Sequence, residues 1–293
     1  MNFRDLFETV LALIVFASAY ALIRIALTEL PPLTVAAIRF LLASSLMIPF
    51  VMIRYRERRP RVTRFDLAAL FGLSIVQIFL PNVLQNIGLE YTTASVSSVL
   101  QSTAPVFTLI LSFTMLGESI GAREVLGVIL GMTGVVLLST GGNVASLSGS
   151  VFLGNALQVG VAASYAISGI VGKIILRKYA PMFVVTVTFV VGAVLLSACA
   201  TIFERNLWPQ QLSEEVIIAL LLLSLLYCLA LVSWYDVLQR TGVFRLYVLL
   251  FTMPVLAVII SMIVLGESFT PTDVLFSTIT LLGVAVAQMG KRK

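Results

Sequence analysis

The chain has 293 residues, 59% hydrophobic and 11% charged, with a net charge of +5, no histidine and two cysteines. A soluble globular chain is about half apolar and about a quarter charged, so this composition excludes an ordinary soluble domain and points to an integral membrane protein with the lipid bilayer as its surroundings. Without histidine there is no imidazole relay, and Cys199 and Cys228 stand in separate apolar runs with no metal-like spacing; no cofactor, no metal and no nucleic-acid partner is expected.

Apolar runs of about 20 residues, the length that spans a bilayer core, recur from end to end. Gly, Pro and charge clusters divide them into ten candidate helices near 6–27, 34–53, 67–87, 94–116, 122–141, 151–173, 182–203, 216–237, 243–264 and 272–290. Only helices or closed barrels satisfy the backbone in lipid, and runs this long mean helices. The first, with "VLALIVFASAYA" at 10–21, imitates the apolar part of a signal peptide. Arg4 there is outweighed by Asp5 and Glu8, and the apolar run continues past Ala19, so it reads as a retained helix. Tyr20 lies deep in it and is a cavity candidate; Arg24 reads as a snorkelling residue.

The second span holds Arg39 about two turns from its outer end, where an uncompensated charge costs several kcal/mol. It is read either as a structural pair with Glu29 or Glu90 or as an anion-recognition residue. In the third span, the amides of Gln77, Asn82, Gln85 and Asn86 surround Pro81, which removes a backbone hydrogen bond and kinks a helix. The fourth aligns Ser98, Gln101, Pro105 and Ser112. In the fifth, Gly127, Gly131 and Gly134 allow close backbone approach, read as internal packing rather than a dimer interface. The chain is expected to be a monomer, with a homodimer as the alternative.

The sixth span places Asn155, Gln158, Ala162, Tyr165, Gly169 and Gly172 on one stripe at 3/4 spacing, expected to face the protein interior. In the eighth, Trp234 and Tyr235 near the end read as interfacial anchors, Tyr227 as a cavity candidate, and Asp236 with Arg240 as an i,i+4 ion pair. The ninth aligns Tyr247, Pro254 and Ser261. The substrate-cavity candidates are therefore Tyr20, Gln77, Asn82, Gln85, Gln101, Asn155, Gln158, Tyr165 and Tyr227, and the hinge candidates are Pro81, Pro105 and Pro254. No acidic residue sits at mid-membrane, which gives proton coupling through a central carboxylate little support.

Basic residues crowd one side of these spans: Arg4, the run Arg54 to Arg64, Arg123, Lys173, Arg177, Lys178, Arg240, Arg245 and the tail Lys291 to Lys293. Only Arg205 lies in the loops of the other side. By the positive-inside rule both termini are cytoplasmic.

Leu116-Gly117-Glu118-Ser119 returns as Leu265-Gly266-Glu267-Ser268, an offset of 149 (267 minus 118). Pro105 and Pro254, Gly134 and Gly283, Pro32 and Pro181, Phe40 and Phe189, and Arg24 and Lys173 keep the same offset. Each copy holds five helices, an odd number, so the second enters the membrane from the opposite side: an inverted repeat, with residues 1–144 and 145–293 as its halves and a substrate site expected near the midplane. Glu118 and Glu267 read as structural joints, carboxylates beside helix N-termini, with Glu124 and Asp273 as the acidic capping residues of the helices that follow.

"LPPLTVAAIRFLLA" (30–43), "YTTASVSSVLQSTAPVFTLILSFTMLGESIGAREVLGVILGMTGVVLL" (91–138) and the echo at 240–287 resemble the EamA branch of the drug/metabolite transporter superfamily, over essentially the whole chain. The resemblance implies ten helices, an inverted repeat and transport of small metabolites, often amino-acid export. Where that family often has Trp-Gly and Trp-Ala in the first and sixth helices, this chain has Phe16-Ala17 and Tyr165-Ala166. The sequence lacks a phosphate-binding GxxxxGK[ST] loop and a catalytic cluster, so it reads as a secondary carrier of a small molecule in the cytoplasmic membrane and not an enzyme. The alternatives are a nucleotide-sugar or lipid-linked-sugar carrier and a non-transporting scaffold.

Overall fold

The computed structural model describes residues 3–56, 60, 62–91, 100–101, 103–143, 152–208, 211–253, 255–256 and 271–289. The described secondary structure is entirely helical. The helices are α1 (Phe3–Ala26), α2 (Pro32–Arg54), α3 (Arg64–Ser74, a π-helical turn Ile75–Phe79, then Leu80–Tyr91), α4 (Ala104–Leu116), α5 (Ala122–Thr140), α6 (Phe152–Ile175), α7 (Pro181–Phe203), α8 (Glu214–Arg240), α9 (Val243–Tyr247, tightening into a 3-10 turn Val248–Phe251) and α10 (Pro271–Gln288). Among the described residues, five stretches are long and apolar enough to cross a bilayer: Pro32–Arg54, Arg64–Gly88, Phe152–Ile175, Pro181–Phe203 and Glu214–Arg240. Ala104–Leu116 and Val274–Gln288 are shorter apolar helices. Outward-facing Leu46, Phe50, Leu222 and Leu229 are exposed on them, as a lipid-facing surface requires. This is a multi-pass membrane protein.

Local chemistry sets the helix ends. Pro32 and Pro181 open α2 and α7 in the first turn, where proline's missing N–H costs nothing. Gly117 ends α4 in the left-handed region (φ 65°), and the next N–H, on Glu118, donates back to Ser112 O at 3.1 Å. This left-handed closure needs a residue without a Cβ penalty, which explains the glycine of Leu-Gly-Glu. Glu124 caps its own helix by accepting from Gly121 N at 2.9 Å.

Three spans depart from expectation. In α3 the proline effect is spread over a π-helical turn just before Pro81, in which Leu80 N donates to Ile75 O, five residues back. Pro105 stands in the first turn of α4, after helical Leu100 and Gln101 and a turn at Thr103, so the helical run is interrupted just ahead of it. The ninth span begins as a short α-helix followed by a 3-10 turn, with Pro254 outside the described residues.

The chain forms two compact units, Met1–Val83 with Val171–Arg240, and Leu84–Ile170 with Thr241–Lys293. Each draws on both halves of the sequence. In the first, α2 packs on α7 and α1 on α8. Glu204, at the end of α7, covers the start of α2: Leu33 N donates to Oε1 at 2.9 Å, and Thr34 N and Thr34 Oγ1 donate to Oε2 at 2.7 Å each. At the other end of the same helix pair, Tyr55 lies on Phe183 with ring centroids 5.9 Å apart. Adding 149 to 34 and 55 gives 183 and 204, so the two contacts are one contact with its partners exchanged. Phe40 and Phe189, themselves 149 apart, touch each other at 5.3 Å.

In the second unit α5 packs on α10. A Cβ on Gly127 would lie 2.5 Å from Ala287 Cβ, Gly134 abuts Thr280, and Gly131 abuts Gly283. The last two contacts are again exchanged by the same offset. The α5 glycines thus serve internal packing, and small residues let two helices approach closely where lipid supplies no hydrophobic drive.

A candidate substrate site and its supports

Two polar centres arise, one in each unit. In the first unit, α2 carries Arg39 and α8 carries Tyr227. The guanidinium carbon of Arg39 stands 4.4 Å from the Phe40 ring centroid and 5.1 Å from that of Tyr227, and Arg39 is only 6% exposed. Tyr227 is a hub, with Phe16, Phe40 and Phe189 at centroid distances of 5.5, 5.7 and 6.1 Å. Aromatic faces attract a cation through their quadrupole, so the buried charge rests on a favourable bed. Arg39 Nη2 donates to Asn82 Oδ1 at 3.1 Å, while Asn82 Nδ2 donates to Ile78 O at 2.6 Å. The second bond fixes the amide's direction, aiming its oxygen at the arginine.

Glu29, one expected partner of Arg39, accepts instead from Ser213 N at 2.9 Å; the side chain of Glu90 lies outside the described residues. Gln77 is buried, and its Oε1 accepts from Tyr235 Oη at 3.0 Å. Trp234 and Tyr235 correct the interfacial-anchor reading: they are 4% and 1% exposed, because the end of α8 is covered by neighbouring helices rather than by headgroups.

In the second unit, Gln158 on α6 is fully buried. It accepts from Gln101 Nε2 at 2.9 Å and donates to Gln85 O at 3.2 Å. Three of the expected positions therefore meet, Gln85 through its backbone. Of the α6 stripe, Gln158, Ala162, Gly169 and Gly172 are buried, and Asn155 and Tyr165 are half-buried. The side chain of Tyr20, and Pro254 and Glu267, lie outside the described residues.

Charged residues build supports at the helix ends. Arg240 binds Asp5 at 3.1 Å, Asp236 at 2.8 Å and Glu8, and Arg4 adds Glu8 at 2.7 Å, so α1 and α8 are clamped by one network. The expected Asp236–Arg240 pair is part of it. Lys173 Nζ donates to Leu238 O and Gln239 O at 2.7 and 2.9 Å, and Gln239 Nε2 donates to Leu176 O at 2.6 Å. Two helix C-termini thus cap one another. Glu118 Oε1 and Oε2 accept from Val243 N at 2.8 Å and Phe244 N at 3.3 Å, closing the start of α9 rather than of its own following helix.

Sequence reasoning passed over Tyr235, Phe40 and Phe189 as site residues. The repeat carried a signal for the last two: equivalent residues that are both large and apolar are candidates to meet on a two-fold axis.

The comparisons agree with this architecture. A model of the EamA-like transporter family matches residues 6–140 and again 152–289. An uncharacterized transporter of Archaeoglobus fulgidus is 29% identical over 268 residues, 92% of each chain. The uncharacterized inner membrane transporter YedA of Escherichia coli strain K12 is 27% identical, covering 99% of this chain and 94% of its own. A solved crystal structure with 18% identity superposes with a TM-score of 0.81 over 99% of this chain and 98% of that one, a likeness of fold. With family matches that together span nearly the whole chain, this membrane protein belongs to the EamA-like transporter family.

Proposed function

We propose that this transporter is a secondary carrier that moves a small metabolite, with amino acids as the leading class, outward across the cytoplasmic membrane by alternating access. The observation that carries the reading is Arg39: a buried guanidinium on an apolar helix, set on the faces of Phe40 and Tyr227 and held by Asn82. Ionisable residues inside membrane helices are costly and mark substrate pathways. A carboxylate is the natural ligand of such a fork, and the aromatic bed suits an apolar body beside it. The amide of Gln77, in the same unit, adds an orienting polar group.

Ten spans with both termini cytoplasmic remain the topology proposed, on the strength of the basic residues. Halves at 1–144 and 145–293 that form an inverted repeat are supported by the contacts exchanged at the 149 offset. Such a repeat gives two conformations of similar energy, one open to each side. Among the described buried residues Arg39 is the one cation, which disfavours a nucleotide-sugar cargo, whose phosphates call for several.

The test is gradient-driven flux in proteoliposomes with a panel of amino acids, sugars and organic cations. Flux of a carboxylate-bearing member that falls about tenfold in Arg39→Lys, with folding intact, supports the reading. Absence of flux across the panel overturns it in favour of a scaffold, and flux unaffected by Arg39→Lys overturns the role of the arginine.

A further inference from the structure

The backbone passes between the two compact units three times, at Val83/Leu84 inside α3, at Ile170/Val171 inside α6, and at Arg240/Thr241 between α8 and α9. We propose that α3 and α6 are a matched pair of bending helices, with pivots at the π turn and Pro81 in one and at Gly169 to Gly172 in the other.

Four observations meet here. First, both crossings lie where the helix is weakest. The α3 crossing follows a π-helical turn and Pro81, where the carbonyl of Gln77 has lost its α-helical donor. In α6 it is bracketed by Gly169 and Gly172. Second, each helix is held to one unit before its crossing and to the other after it. In α3, Ile78 sits on the bare face of Gly192 and Asn82 on Arg39, both in the first unit. Past the crossing, Leu84 meets Gly160 and Gly88 meets Gln158, both in the second.

Third, α6 shows the same handover within four residues. A Cβ on Gly169 would lie 2.6 Å from Tyr247 Cζ, in the second unit, and one on Gly172 would lie 3.3 Å from Tyr235 Oη, in the first. Fourth, the two helices share their anchors. Tyr235 touches Gly172 of α6 and donates to Gln77 of α3; Gln158 of α6 donates to the Gln85 carbonyl of α3. A bend in one helix is therefore transmitted to the other. The pivots absent from the expected list are the α6 glycines; of the expected hinges, Pro81 belongs to this set and Pro254 lies outside the described residues.

The proposal gives the carrier reading a moving part, and its test needs no substrate. In a Cys199→Ser, Cys228→Ala background reconstituted in nanodiscs, spin labels are placed at Leu67 and Ile87 on α3, at Leu153 and Ile174 on α6, and, as a control inside one unit, at Ile218 and Leu229 on α8. All six positions are exposed. The expected result is a distance distribution for the α3 and α6 pairs at least about twofold broader than the control, or split. Pro81→Ala, which returns an N–H to the helix, narrows the α3 pair; Gly172→Ala, whose Cβ tightens on Tyr235, narrows the α6 pair. Crossing pairs as narrow as the control overturn the proposal, as does broadening untouched by both variants. Broad distributions without flux of any panel substrate would sink the carrier and leave the bending helices standing.

Discussion

The rings of Phe40 and Phe189 touch at a centroid distance of 5.3 Å although the residues are 149 positions apart (189 minus 40) and equivalent in the two copies of the pattern. A residue that meets its own equivalent marks a two-fold axis. Both rings are fully buried, and both lie against Tyr227, so the pair floors the aromatic bed of Arg39. Phe40→Leu and Phe189→Leu are each expected to cost about 1 kcal/mol, with a coupling of about 0.5–1.5 kcal/mol in the double mutant. Denaturant unfolding in mixed micelles measures both. Strict additivity would show that the rings do not act as a unit.

Gln158 spends both ends of its amide on partners from different helices. Gln158→Leu fills the volume but strands the Gln101 donor and the Gln85 carbonyl, a loss of about 1–3 kcal/mol. The expected readout is a lowered thermal midpoint together with impaired flux. A midpoint equal to wild type would mean that water replaces the amide.

The α5–α10 crossing is set by glycine. Gly283 lies against the Gly131 backbone, where no side chain end exists that can swing away. Gly283→Leu must separate the helices and is expected to destabilise by about 3 kcal/mol or more, read as loss of monodisperse protein on size exclusion. Gly72, with open space around its would-be Cβ, is the matched control: Gly72→Ala should be neutral or slightly stabilising.

Glu29 stands outside the spans, and hydrogen bonds from Ser213, side chain first and then backbone, hold its carboxyl below the ordinary value of 4.5. A carboxyl depressed on folding contributes stability that is present above its unfolded pKa and is lost as pH falls through the folded one. Acid titration of unfolding should therefore show a decline below about pH 4.5 that is shallower in Glu29→Gln. Equal slopes in the two proteins would remove Glu29 as a contributor.

Much of this was legible in the sequence. Apolar run length pointed to an all-helical membrane protein, and five of the described stretches are long and apolar enough to span a bilayer. The 3/4 stripe of α6 identified Gln158, Gly169 and Gly172 as inward-facing. Periodicity reports a face but not the partner that covers it. Hence Glu118 reads as a local joint although its ligands are Val243 N and Phe244 N, from more than a hundred positions away. Tyr235 misled for the same reason: an aromatic near a helix end belongs at the headgroups only when lipid lies outside it, and here Gln77 does. The π turn of α3 has no compositional mark beyond Pro81 itself. Equally invisible is the interleaving of both halves in each compact unit, because it depends on which helix faces pair.

The most direct test of the carrier is counterflow. Proteoliposomes loaded with an excess of an unlabelled substrate from the panel are diluted into a trace of the same compound in labelled form. A carrier that alternates its access must return loaded with labelled molecules, so transient accumulation of label above its equilibrium level is expected, with collapse of the overshoot in Arg39→Lys. Label that rises monotonically to equilibrium, at a rate indifferent to what is inside, would contradict alternating access and describe a pore.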